Sequence, residues 1–370
     1  MAQVRRSQKR VYLGQWRGES MSLQSIRKAL TQRFARAVRE HIRSRTWLQA
    51  EAGGNAGLPP LWIHPTRPLL PPLPSVAQLL QTPDEEQSRS GALDLSPYFE
   101  ETAQGEVLRK LSQDEIEQFV KADHYPLPAP EDREGYYGDQ HVQYWISGLG
   151  DYVLLRALLW EQHVKLSAPF SLLDLGCASG RVLRHFATHE SGLQVYGADI
   201  NRTNVMWMNA HLPRVIQCFQ NTILPSLPFG DNTLNFVYGC SVFTHIDDYE
   251  SAWLLEIRRV LKPGGFAFLT IHSERTWKDM QEDHFLYKYF LNTPHVIEDL
   301  GITQMTPELF ARDMPADRVV LTHTGYAINN TNVFHTVAYI RENWGRFFKI
   351  CKIIPKAHGG HQDGVLLLKE

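Results

Sequence analysis

From about residue 140 to the end of the chain, short apolar runs alternate with amphipathic stretches, and this alternation limits the fold more than any other feature. A helical stretch, "YWISGLGDYVLLRALLWEQ", leads into the apolar run "FSLLDLG". Then come helix "GRVLRHFATH", strand "LQVYGAD", helix "RTNVMWMNAHL", strand "RVIQCF", strand "NFVYGCSVF", helix "YESAWLLEIRRVL" and strand "GFAFLTIH". Strands that alternate with helices need crossover connections, so they lie parallel in a doubly wound α/β sheet covered on both faces. Such sheets bind ligands beyond the carboxyl ends of their strands.

The segment "DLGCASG" falls at one of those ends. Gly176, Ala178 and Gly180 are small enough for backbone to approach a ligand closely, and the helix that follows offers unpaired N–H groups. Asp174 stands just before the turn, where it would repel a pyrophosphate and attract a cationic amine. The next strand ends at Asp199 in "YGADIN", where a carboxylate can accept both hydroxyl protons of a ribose. Either acid alone serves equally well as a helix cap or a strand terminus. Together they suit a nucleoside that carries an ammonium group.

In order and spacing, "LLDLGCASGRVLRHF", "VYGADIN", "LPFGDNTLNFVYGCSVFTHI" and "RRVLKPGGFAFLT" resemble the successive motifs of the class I S-adenosylmethionine-dependent methyltransferases. The terminal "RFFKICKIIPKAHGGHQDGVLLLK" looks like that family's last two strands, the final one antiparallel, so the resemblance implies a seven-stranded, mostly parallel, Rossmann-like sheet over residues 136–370. It further implies that Asp174 and the backbone of Gly176, Ala178 and Gly180 hold the methionine portion of S-adenosylmethionine. Asp199 would bind the ribose, Ile200 would lie against the adenine, and Asn221 would accept from the adenine amine. Cys240 and Ser241 would line the sulfonium side through main-chain atoms. Ala178 in place of the usual middle glycine and Asn235 in place of an acid opening the fourth strand are departures from the pattern. "YWISGLGDY", "SVFTHI" with "WLLEIRRVLKPGG", and "HQDGVLLLK" are similar to a bacterial-type subgroup whose members often act on glycans or small metabolites.

Methyl transfer is an in-line displacement, so the enzyme must hold an acceptor atom about 3 Å from the methyl carbon and keep water out. A hydroxyl acceptor also needs a base. His245 in "SVFTHID" is the foremost candidate and His272, ending the fifth strand, a weaker one; a histidine that only braces its loop is the alternative for each. Residues 273–335 are long for a connection after a strand and form an expected acceptor-side insertion, with Trp277 and Tyr287 as pocket candidates. Tyr136, Tyr137, Tyr144 and Trp145 are positioned to close over the cofactor, although aromatic residues at helical spacing more often pack. His358, His361 and Asp363 in "HGGHQD" are ligand types on a turn that needs Gly and Asp anyway, so no metal is expected.

The net charge of -2 hides an asymmetry, because residues 1–50 carry twelve Lys or Arg against Glu19 and Glu40. Within 20–48, Leu23, Ile26, Leu30, Phe34, Val38 and Ile42 recur at helical spacing between arginines, which reads as a basic amphipathic helix. Its apolar stripe serves either self-association or packing on its own protein, or a peripheral contact with anionic lipid. An Arg-rich start also fits an organellar transit peptide in a eukaryote. Residues 51–135 read as a Pro-rich strap or linker with a short helix opened by the capping box "SQDE" at Ser112. No apolar stretch approaches the roughly 20 residues of a membrane span, and four scattered cysteines suit a reducing, cytoplasmic setting, with or without peripheral membrane contact. The acidic remainder of the chain disfavours nucleic acid as partner. A dehydrogenase would share the ribose acid but not explain Asp174. The expected activity is therefore O-methylation of a small-molecule or sugar-containing acceptor. Its rival is a catalytically silent relative that binds the cofactor or a partner.

Overall fold

The computed structural model describes residues 67–81, 111–167, 169–324 and 331–370. The basic helix expected over 20–48 and most of the Pro-rich stretch lie outside the described residues. The strap that is described begins with Leu73–Ser75 (β1) and Val76–Leu79 (α1), and β1 pairs antiparallel with Pro126–Leu127 (β2). Between them Gln113–Ala122 (α2) opens as the sequence predicts. Ser112 Oγ accepts from the Glu115 N–H at 3.2 Å, and the Glu115 carboxylate accepts from the Ser112 N–H at 2.9 Å. A fully buried ion pair ties this strap to the sheet. Arg184 meets Asp123 through two hydrogen bonds of 2.7 and 2.9 Å, and Trp145 Nε1 donates to the same carboxylate at 2.7 Å.

His141–Glu161 (α3) then leads to Phe170–Leu175 (β3), Leu183–His189 (α4), Leu193–Asp199 (β4), Arg202–His211 (α5), Ile216–Gln220 (β5), Leu234–Gly239 (β6), Glu250–Val260 (α6) and Leu261–Ser273 (β7). Strands β5, β4, β3, β6 and β7 lie side by side in that order, all parallel. An insertion follows: Glu274–Asp279 (α7), Phe285–Asn292 (α8), His295–Val296 (β8), Pro307–Phe310 (α9), Arg318–His323 (β9) and Thr331–His335 (β10). After Val337–Asn343 (α10) the chain returns as Lys349–His358 (β11) and Gln362–Leu368 (β12). β12 inserts antiparallel against β7 and β11 pairs antiparallel outside it, so these seven strands form the expected Rossmann-like sheet, which β10, β9 and β8 of the insertion extend to ten.

The period-two alternation of strand side chains divides the core. Leu172, Val195, Phe236, Phe268 and Leu366 point to the face covered by α3 and α4, while Leu173, Val237, Ala267, Leu269 and Leu367 point to the face covered by α6 and α10. Both faces are apolar, so each strand reads as a continuous apolar run. The insertion has a core of its own around Trp277, Phe290, Phe310 and Phe334. Its β10 runs parallel to the last two residues of β7, and Val333 N donates to Thr244 O at 2.8 Å. The insertion is thereby fixed at the carboxyl ends of β6 and β7. Asn235 works at the opposite end of the sheet, where its side-chain oxygen accepts from Ser171 N, Ser171 Oγ and Lys262 Nζ.

Candidate active site

The carboxyl ends of β3, β4 and β5 carry three buried acceptors that the fold leaves without a cation. Asp174 is 3 % exposed and makes no salt bridge among the described residues. Burial pushes its pKa up to about 8, against the opposing pull of the Tyr238 hydroxyl and the Arg181 charge. Asp199 accepts from Ala178 N and Asn201 N, both at 2.7 Å, and burial still pushes it up to about 6. Asn221 donates its N–H to Asp199 O at 3.1 Å, and its buried Oδ1 has no partner among the described residues. Ile200 is half-buried next to them. A carboxylate buried without a cation and an amide oxygen buried without a donor are costly unless a ligand brings positive charge or donors. An α-ammonium, a ribose and an adenine amine are such groups, so the residues fit S-adenosylmethionine.

The turn between β3 and α4 uses the N–H groups of its small residues within the protein. Gly176 and Gly180 have φ of +75° and +78°, and a Cβ would strike Val242 at the first and come within 2.6 Å of Leu212 Cδ1 at the second. Their N–H groups are used internally, on Ala198 O at 2.8 Å and Cys177 O at 2.9 Å, and the Ala178 N–H is on Asp199. Ala178 itself takes φ of +45°. The small residues thus serve the tight turn and its packing.

Arg181 is the cation of this pocket, and the motif reading gave it no role. Its Nη1 pairs with Asp151 Oδ2 at 2.7 Å, while Asp151 Oδ1 meets His358 Nδ1 at 3.0 Å. Gly148 of α3 lets the helix lie directly on the backbone of Arg181, because any side chain there would strike that carbonyl. Asp151, Cys240 and His358 bring three ligand atoms within 4.8 Å of one another. A guanidinium already neutralises that carboxylate, which leaves little reason for a metal ion. The ligand types of "HGGHQD" do not converge: Asp363 pairs with Arg275 at 3.0 Å, and His361 Nδ1 donates to Gly359 O at 2.7 Å.

Beyond β6 and β7 lies a second set of groups. Ser241, with φ of +58°, donates its N–H to Thr270 Oγ1 at 2.7 Å and accepts from Gln362 Nε2 at 2.8 Å; Cys240 beside it is half-buried. His245 Nδ1 lies 2.7 Å from Thr331 O. A carbonyl can only accept, so Nδ1 carries the proton and Nε2 presents its lone pair. Desolvation of the ring disfavours the cation and lowers its pKa, although the residue keeps an exposed surface. His272 is 2 % exposed, stacked between Phe334 and His361, and its pKa is pushed well down by burial and by neighbouring histidines. That burial leaves His272 a poor candidate for direct contact with an acceptor.

Several pocket candidates are corrected. Trp145 is fully buried with its Nε1 on Asp123, and Trp277 is fully buried with its Nε1 on Arg312 O at 3.0 Å, so both are core residues. Tyr144 is 2 % exposed beneath the Arg133 guanidinium, and Tyr287 packs on Phe310 in the insertion. Tyr137 is half-buried, edge-on to Tyr144. Tyr136 is 57 % exposed and lies within electrostatic reach of Glu134, Arg181 and Asp199.

Residues 173–269 match a family model described as a methyltransferase domain. No curated protein matches the chain. Among solved structures, a protein of Pyrococcus horikoshii OT3 is 16 % identical with a TM-score of 0.40, covering 59 % of this chain and 88 % of that one. A SAM-dependent methyltransferase of Methanosarcina mazei is 17 % identical with a TM-score of 0.39, covering 57 % of this chain and 96 % of its own. A putative S-adenosylmethionine-dependent methyltransferase of Listeria monocytogenes is 13 % identical with a TM-score of 0.40, covering 57 % and 95 %. The matched stretch, residues 173–269, is thus similar to a methyltransferase domain, and it runs from β3 to β7 of the Rossmann-like sheet.

Proposed function

We propose that the protein methylates an oxygen of a small-molecule or sugar-containing acceptor, with His245 as the base. The observation that carries this reading is the tautomer of His245: the Thr331 carbonyl fixes the proton on Nδ1, so the exposed ring offers a basic Nε2. S-adenosylmethionine, when bound, supplies a methyl group on a positively charged sulfur. Asp174 would hold its ammonium, Asp199 would take the ribose and Asn221 the adenine amine. Ser241 is held at the end of β6 by Thr270 and Gln362, which fixes the floor beneath the reacting atoms. No oxyanion hole is required, because the leaving sulfur becomes neutral.

The test is transfer of a labelled methyl group into a metabolite extract, with mass analysis of the product. An O-methyl product is expected from the parent protein. His245→Gln should lower kcat by roughly 10²-fold or more with cofactor affinity unchanged. A nitrogen- or carbon-methylated product, or full turnover in His245→Gln, would overturn the reading.

A further inference from the structure

We infer that Glu134, on the strap between β2 and α3, is a positioning residue for the cofactor: it orients the two asparagines that fix Asp199 Oδ1, and so makes ribose binding depend on a seated strap. This rests on the placement of the ribose at Asp199 and adds a residue that no strand-end motif contains. Among the described residues, Asp199 Oδ1 receives its hydrogen bonds from two residues, the Asn201 N–H at 2.7 Å and Asn204 Nδ2 at 3.4 Å. Both asparagines are held in turn by one oxygen of Glu134, whose Oε1 accepts from Asn201 Nδ2 at 2.6 Å and from Asn204 Nδ2 at 2.9 Å. The orientation of the Asn201 amide is fixed, because its Oδ1 caps α5 by accepting from the Thr203 N–H at 3.0 Å, which leaves Nδ2 for Glu134. The Asn204 amide is buried and carries two N–H bonds, one for each carboxylate. Glu134 and Asp199 therefore share a single nitrogen, and through it the strap reaches the end of β4.

The backbone at Glu134 favours a use for its side chain. One turn of 3₁₀ helix, Pro130–Arg133, ends at Glu134 with φ of +57°, in the left-handed region where a residue with a Cβ is strained. Glycine would suit this position better, as it does the next, Gly135 at +80°, so the chain bears strain to place a carboxylate here. The turn itself is anchored. Asp132 and Arg133 are buried, Asp132 O accepts from Ser179 Oγ in the turn after β3, and the Asp132 carboxylate meets Arg67 Nη2 at 2.6 Å. From residues 134–140, Glu134 supplies the only hydrogen bonds to β4 or α5 among the described residues. The two carboxylates repel each other: burial, and after it the Glu134 charge, lift the Asp199 pKa, while the N–H groups of Asn201, Ala178 and Asn204 oppose the rise. A repulsive neighbour kept at the end of β4 serves by holding those donors in place.

The experiment measures, by direct and competitive calorimetry on the full chain, the affinity for S-adenosylhomocysteine and for its 2′,3′-dideoxy analogue, which lacks the ribose hydroxyls. Glu134→Gly removes the carboxylate and suits the left-handed backbone, so stability in urea should hold or rise while affinity for S-adenosylhomocysteine falls about tenfold. Affinity for the dideoxy analogue should change by no more than about twofold, because that ligand asks nothing of Asp199. Glu134→Gln keeps an acceptor for both asparagines and should restore most of the loss. No loss in Glu134→Gly, an equal loss on both ligands, or no recovery in Glu134→Gln overturns the proposal. Asp199→Asn separates this failure from that of the ribose placement. If it abolishes the preference for the hydroxyl-bearing ligand while Glu134→Gly leaves that preference intact, only the role of Glu134 is wrong; if Asp199→Asn leaves the preference intact, the ribose placement falls and the role of Glu134 with it.

Discussion

Two buried carboxylates in this molecule have opposite fates. Asp123, at the junction of strap and sheet, is fully buried against the Arg184 guanidinium, and although burial works against it, that charge and its hydrogen bonds bring its pKa down to about 2. Asp174, at the end of β3, is as deeply buried but has no cation of its own, and burial lifts it to about 8. The same side chain at nearly the same burial is a joint in one place and a socket in the other. Depth alone does not mark a functional acid; what marks it is the counter-charge that the fold withholds.

The largest expected effect tests the joint. Asp123→Ala leaves Arg184 buried without its partner and should cost about 3–5 kcal/mol of stability in urea unfolding. Cofactor affinity of the folded fraction should stay the same. The pair also has a pH signature. A carboxylate whose pKa is depressed on folding adds stability above its unfolded value of 3.8, and loses it as pH falls toward 2. The parent should therefore weaken between about pH 4 and 2 more steeply than the variant.

Asp174→Asn tests the socket. Loss of a charged acceptor for an ammonium is worth about 1.5–3 kcal/mol, so affinity for S-adenosylmethionine should fall roughly ten- to hundredfold in calorimetry. Stability should move the other way. With a folded pKa raised from 3.8 to about 8, native Asp174 keeps a proton that the unfolded chain has released, so its contribution to stability declines as pH rises across that window. The variant should gain on the parent from pH 4 to 8, in the opposite direction to Asp123→Ala. A variant destabilised at pH 8 with unchanged cofactor affinity would turn Asp174 into a second joint.

The next effect is a proton count. If the ammonium of the cofactor binds the Asp174 carboxylate, binding near pH 7 must expel the proton that burial holds there. Binding enthalpy in the parent should then change with the ionisation enthalpy of the buffer, and affinity should rise with pH up to about 8. Most of this dependence should vanish in Asp174→Asn, leaving a smaller remainder at lower pH from Asp199, whose pKa is about 6. Buffer-independent enthalpy in the parent would place the ammonium elsewhere.

The socket was far more legible in the sequence than the joint. Asp174 and Asp199 each end an apolar run at a strand terminus, and a strand fixes where its last side chain points. Asp123 lies in an irregular strap, and its partner is 61 residues away, beyond the reach of any local pattern. The Arg181, Asp151 and His358 network was hidden for the same reason, since its last two members are 207 positions apart. Trp145 misled because α3 is buried along most of its length, so its periodicity distinguishes no outward face. Trp277 misled because its indole N–H finds a backbone carbonyl inside the insertion, a contact that only tertiary packing makes.

The smallest effect carries the comparison from acids to amides. Asn235 and Asn221 both sit at strand ends, at opposite edges of the sheet. The Asn235 oxygen accepts from three donors and so belongs to the fold, whereas the buried Asn221 oxygen has no donor among the described residues. Asn235→Leu should strand the Ser171 N–H and lower stability by about 1–3 kcal/mol, with no direct effect on the cofactor. Asn221→Leu removes an acceptor that folding left unsatisfied, so stability should hold or rise slightly. Affinity for S-adenosylmethionine should drop about fivefold, the worth of one ordinary hydrogen bond to the adenine amine. An inosine analogue of the cofactor, which lacks that amine, should bind parent and Asn221→Leu alike. If it still discriminates between them, Asn221 meets some other part of the ligand and the adenine lies differently from the placement given above.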